Sequence, residues 1–222
     1  MDLVKVAFIV CCAVIMCACG QTPSTESNAD QDAEWLFELL TPYEGEGARE
    51  EGKNRALIIS EVKKSSNVVR LIRIVRGSVD SDLSSGELPA PVTRRAIMLL
   101  GWVGTDKAVV AISPYLRHQR YEIRFEVADA LGQSRNPKAI SYLVASLKEW
   151  EKRLPAKLDG ADIADQVFTL SAYVEALASI GTDKALAAVD ACLTRLRNKY
   201  GSSEMADEVY RILRQAKNSK RL

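Results

Sequence analysis

Between positions 90 and 197 apolar side chains recur three and four residues apart. One set runs Val92, Ala96, Leu99, Leu100 and Val103; a second runs Ile123, Val127, Ala130 and Leu131. After short polar breaks come Ala108, Ala111, Ile112, Tyr115 and Leu116, then Ala139, Leu143 and Leu147. This i, i+3, i+4, i+7 spacing places each set on one face of a helix. No stretch here alternates with period two over a useful length, so strands are not expected. The pattern predicts an all-α fold of consecutive helix pairs.

The pairs repeat. Leu100, Leu131 and Leu177 fall in register, 31 and then 46 positions apart, with an insertion at 154–162 filling the longer spacing. In the same register stand Gly101, Gly132 and Ala178; Thr105, Asn136 and Thr182; Asp106, Pro137 and Asp183; Lys107, Lys138 and Lys184; Ala108, Ala139 and Ala185. The segment GTDKA occurs twice, at 104–108 and 181–185. Gly104 and Gly181 suit the left-handed residue that ends a helix. Thr105, Asn136 and Thr182 suit the N-cap of the next. Asp106 and Asp183 then meet the positive end of the helix dipole, and Pro137 suits the first helical position. The doubled segment is a structural joint. Ser113-Pro114 should kink or shorten the second helix of its unit.

The stretches RRAIMLLGWVGTDKAVVAISPYL, IRFEVADALGQSRNPKAISYLVASL and YVEALASIGTDKALAAVDACL resemble HEAT-like repeats of the short, phycobilisome-lyase type. Arg94 lies one place off from Arg124, and the third unit has no Arg there. The resemblance implies an α-solenoid with clear repeats over 90–197, whose second helices line a concave partner-binding face. An earlier, decayed unit is expected at about 53–77, with Asn67 as a possible cap. DAEWLFELL and MADEVYRILRQAKN would close the two ends, since terminal repeats are atypical caps.

The N-terminus reads as an address. The apolar run from Val6 to Met16 is too short to span a bilayer and has the length of a secretory signal core. Ending in MCAC, it resembles a bacterial lipoprotein signal: Ala18 fills the small position before the cut and Cys19 becomes the lipidated residue, with Cys17 the fallback acceptor. Met16 and Cys17 depart from the usual lipobox. The expected organisation is a cleaved signal peptide over 1–18, a disordered tether over 19–33, whose polar composition cannot bury a core, and a helical body over 34–218. The implied location is the bacterial cell envelope, lipid-anchored and periplasm-facing. Gly20 after the lipidated Cys resembles outer-membrane sorting.

Lys+Arg number 30 against Asp+Glu 29, which argues against a nucleic-acid partner. One histidine, His118, excludes a metal site built from two histidines, and we expect no metal, no cofactor and no catalytic residues. His118 is read as a surface residue, Cys192 as a small buried hydrophobe, and Trp35, Trp102 and Trp150 as packing residues. The stretch 80–87 starts like a calcium loop but lacks Gly at the sixth and Glu at the twelfth place. What remains is surface. Lys107, Lys138 and Lys184 should form a row, with Arg117 and Lys148 further along the second helices. Such a row either keeps the surface solvated or binds a partner. The loops at 77–91 and 154–162 are the other irregular surfaces. The function expected is a membrane-tethered, non-catalytic scaffold or adaptor for an envelope protein; the alternatives are a HEAT-like lyase-type modifying enzyme or a small-ligand or anion-sensing module.

Overall fold

The computed structural model describes residues 25–40, 48–82, 91–156, 164–202 and 204–218, so positions 1–24 and Cys19 lie outside it. Among the described residues every regular element is helical. Helix α1 spans Thr25–Leu40, α2 Ala48–Val62, α3 Ser65–Asp82, α4 Pro91–Val103 and α5 Asp106–Ile112. A 3₁₀ turn, Ser113–Arg117, extends α5. Then come α6 Tyr121–Gln133, α7 Pro137–Arg153, α8 Ala164–Ile180, α9 Asp183–Tyr200 and α10 Glu204–Asn218. The pairs α4/α5, α6/α7 and α8/α9 are the three repeats. The tightening into a 3₁₀ turn falls at Pro114, whose ring cannot sit inside an α-helix.

The joints have one geometry. Thr105 and Thr182 each accept a bond from the amide three residues on, at Ala108 and Ala185, both at 3.3 Å; Asn136 accepts from Lys138 N at 2.8 Å. Gly104 and Gly181 have φ of +62° and +70°. The equivalent residue of the middle repeat is Arg135, at φ +48°. A residue with a Cβ costs about 1–2 kcal/mol in this conformation.

Stacking uses the same register. A Cβ on Gly101 would sit 2.6 Å from Ala130 O, and one on Gly132 would sit 2.8 Å from Ala176 Cα. Glycine is required there because neighbouring first helices touch backbone to backbone. The first helices α4, α6 and α8 therefore form the tightly packed row, while α3, α5, α7 and α9 are spaced more widely. Leu99, Leu100, Ile123, Leu131, Leu143, Leu170 and Leu177, all fully buried, run through one continuous core. At about 1.5–3 kcal/mol for each such side chain, this stripe drives the stacking.

The ends differ from expectation in detail. Helix α1 runs through 25–33, which composition reads as tether. Its Leu36 and Leu40 are buried, and its buried Asp32 pairs with Arg70 Nε at 2.5 Å and Arg73 Nε at 2.7 Å on α3. Asn67 is not a cap: α3 starts at Ser65, and the Asn67 amide reaches back to Glu61 O at 3.0 Å. The expected loop at 77–91 begins later, because α3 continues through Gly77 to Asp82, and 83–90 lie outside the described residues. Of the insertion at 154–162, Leu154 is buried and Pro155 O accepts from the Tyr200 hydroxyl at 2.6 Å; 157–163 lie outside the described residues. At the other end α10 buries Ala206, Val209, Tyr210, Leu213 and Ala216 against α8 and α9.

Candidate interaction surface

The expected lysine row divides. Lys138 donates to Asp106 of the preceding repeat at 2.9 Å, and Asn136 Nδ2 donates to Asp106 Oδ1 at 3.0 Å and to Gly104 O at 2.8 Å. One joint is thus bonded to the next. The Lys138 hydrogen bond, then that of Asn136, holds the Asp106 carboxyl below its usual range; the same bond raises Lys138. In the next repeat Pro137 replaces the aspartate, so Lys184 has no carboxylate at the equivalent place and stands exposed. Arg117 donates to Glu149 Oε2 at 2.6 Å, and Glu149 also accepts from Arg153 at 2.7 Å; the Arg117 bond is the first cause lowering Glu149. Lys148 is exposed on α7. Arg117 and Lys138 therefore brace neighbouring repeats, while Lys107, Lys148 and Lys184 point to solvent.

Lys107 rims a groove of about 460 Å³ between α3 and α5. The floor is Val69, Ile72, Val110 and Ala111, and the edge carries Arg76, Lys107, Asp106 and Lys138. Val69 and Val110 are each 45% exposed. Asp106 and Lys138 neutralise each other, leaving Arg76 and Lys107 as the groove's net charge. The sequence reading missed Val69, Ile72, Arg76 and Val110. The signal was present: Val69 and Val110 fall off the buried stripes of Val68, Leu71 and Val75 on α3 and of Ala108, Val109 and Ile112 on α5. Finding the groove needs the fold, because only the fold sets α3 beside α5.

The opposite outcome meets Arg124, which is buried to 1% exposure. Its Nη1 donates to the carbonyls of His118 at 2.8 Å and Gln119 at 2.6 Å, its Nη2 to Asp165 at 2.6 Å, and its Nε to Thr169 at 3.2 Å. The guanidinium lies 4.2 Å from the Trp150 ring centre, and Arg153 lies 4.3 Å from it. Burial lowers the Arg124 pKa against the opposing pull of Asp165. The equivalent buried positions of the flanking repeats hold Thr93 and Leu170, whereas Arg94 is exposed and pairs with Glu126. Arg124 is thus an anchor that ties the end of one repeat to α8. His118 is half-buried rather than a surface residue, and its Nδ1 accepts from Arg120 N at 3.1 Å. Cys192 is fully buried and burial pushes its thiol up to about 12. Among the described residues no three His, Cys, Asp or Glu side chains group to hold a metal ion, and no helix is long and apolar enough to cross a membrane.

A family model described as HEAT repeats matches residues 86–155. No curated protein matches the chain. Among solved structures, human deoxyhypusine hydroxylase in complex with glycerol matches with 15% identity and a TM-score of 0.41, over 90% of this chain and 82% of that one. That score carries no functional argument. The chain carries HEAT-like repeats in an all-helical stack.

Proposed function

We propose that the protein is a membrane-tethered, non-catalytic scaffold that holds an acidic, apolar segment of a partner protein in the α3–α5 groove. One observation carries the reading: two half-exposed valines form a floor beneath Arg76 and Lys107, both cations without a carboxylate partner among the described residues. An apolar floor with a basic rim complements an amphipathic helical segment with apolar residues on one face and acidic residues beside them. The groove has the shape of a binding surface, and a repeat stack is a stiff frame on which to present one. The tether belongs to the same proposal and rests on the resemblance of the N-terminus to a lipoprotein signal, with Cys19 as the lipidated residue in a bacterial envelope. The finer likeness to the phycobilisome-lyase type of repeat rests on the three aligned stretches of sequence alone.

Two experiments test it. Fluorescence anisotropy with a synthetic peptide bearing Leu at i, i+3 and i+4 and Glu elsewhere should show saturable binding. Val110→Asp and the double variant Arg76→Glu, Lys107→Glu should weaken that binding, and a Lys-for-Glu peptide should not bind. Equal binding of both peptides, or no effect of Val110→Asp, removes the groove from the reading. Separately, Cys19→Ser should move the protein from the membrane to the soluble fraction. Fatty-acid labelling that persists in Cys19→Ser would show that Cys19 is not the acceptor.

A further inference from the structure

Arg135 occupies the left-handed joint that Gly104 and Gly181 occupy in the neighbouring repeats. Glycine takes that conformation freely and arginine does not. A residue kept in a disfavoured conformation points to a use for its side chain. That use is not an ion pair: Arg135 is exposed and meets no carboxylate among the described residues, whereas Arg94, Arg117 and Arg195 pair with Glu126, Glu149 and Glu151.

Arg135 lines a cleft of about 380 Å³ with Arg55, Gly132, Gln133 and Ser179, none of which lines the α3–α5 groove. Arg55 comes from α2 and is oriented by Trp102, whose ring centre lies 4.4 Å from the guanidinium carbon. Its one side-chain hydrogen bond among the described residues, to Gln133 Oε1, is long at 3.4 Å. Gln133 Oε1 also accepts from Trp102 Nε1 at 2.7 Å, and its amide nitrogen donates to Asp129 at 2.5 Å. Two arginines therefore line one cleft, and none of the other lining residues is a carboxylate. Most of their donors are unused. A flat, forked donor suits a carboxylate or phosphate. The volume suits a small molecule.

We infer that this cleft binds a small organic anion through its carboxylate or phosphate oxygens, with Arg135 and Arg55 as donors and the Ser179 hydroxyl on the third side. The site is independent of the scaffold reading: it uses other residues and another class of ligand. The strain at Arg135 is then the cost of placing a guanidinium where the fold alone would place glycine.

The test uses the full chain in detergent, titrated with inorganic phosphate or with citrate, and with sodium chloride at matched ionic strength. Thermal unfolding and isothermal calorimetry report the response. The wild type should gain thermal stability saturably with phosphate, citrate or both, and not with chloride. A response to phosphate alone assigns a phosphate ester, and one to citrate alone assigns a carboxylate. Arg135→Gly should unfold at a higher temperature than the wild type without probe, yet lose affinity by roughly tenfold or more, as expected when a charged donor is removed. Arg135→Lys should fall between the two. Because Arg135→Gly relieves strain, its loss of response cannot come from misfolding. A wild type indifferent to both probes, or an Arg135→Gly variant that binds as well as the wild type, overturns the inference.

Discussion

Replacing Arg124 with methionine removes a buried side chain of similar length and leaves its acceptors behind. The carbonyls of His118 and Gln119 and the hydroxyl of Thr169 lose their donors. An acceptor left unpaired in the interior costs about 1–3 kcal/mol. Asp165 is different: its side chain is 47% exposed, so it rehydrates and adds little. Thr169 is buried and the two carbonyl bonds are part-buried, so taking the low end for all three gives a loss of about 3 kcal/mol. At about 2–4 °C per kcal/mol for a chain of this size, the melting temperature should fall by about 6–12 °C. Urea unfolding followed by far-ultraviolet circular dichroism measures the loss directly. Asp165→Asn serves as the control and should cost less than about 1 kcal/mol, because its partner retains the carbonyls and Thr169. If Arg124→Met costs under about 1 kcal/mol, or if Asp165→Asn costs as much, then the ion pair and not the buried fork holds α8, and the reasoning fails.

Three further outcomes follow from the same geometry. Gly132→Ala should destabilise by about 2 kcal/mol or more, since the new methyl meets Ala176 backbone at 2.8 Å; Gly77→Ala, with nothing within 4 Å, should stabilise by about 0.5–1 kcal/mol, and denaturant midpoints of the two variants should move in opposite directions. The Asp106 carboxyl is held below its usual range, so its contribution is present above the ordinary carboxylate pKa and disappears as pH falls through the lowered value; the stability gap between wild type and Asp106→Asn should therefore narrow in acid, as urea titrations across pH would read. With its thiol pushed up to about 12, Cys192 should react with a disulfide reagent only as fast as the chain unfolds, measured in a variant whose four N-terminal cysteines are serine; rapid labelling under native conditions would contradict its burial.

What could be read along the chain was what neighbours in sequence decide. Helix periodicity, the left-handed glycines at 104 and 181, the capping Thr105, Asn136 and Thr182, and the break at Pro114 all depend on residues within one turn of each other. Their repetition at 31 and 46 residues was enough to give the stacked helix pairs. What the side chains do between repeats depends on positions that the chain brings together only when it stacks. Asp32 looks like tether composition until Arg70 and Arg73 arrive from α3. Lys138 and Arg117 look like members of one basic row until Asp106 and Glu149 of the adjoining repeats engage them. Arg124 and Arg94 look like one motif out of register, yet one is the buried anchor and the other a surface ion pair, because burial is set by helix rotation against a neighbour. The groove floored by Val69 and Val110 and the cleft between Arg55 and Arg135 are likewise made by pairs far apart in sequence. Local preferences chose the elements; the packing of one repeat on the next chose which charges are spent on the fold and which are left for a ligand.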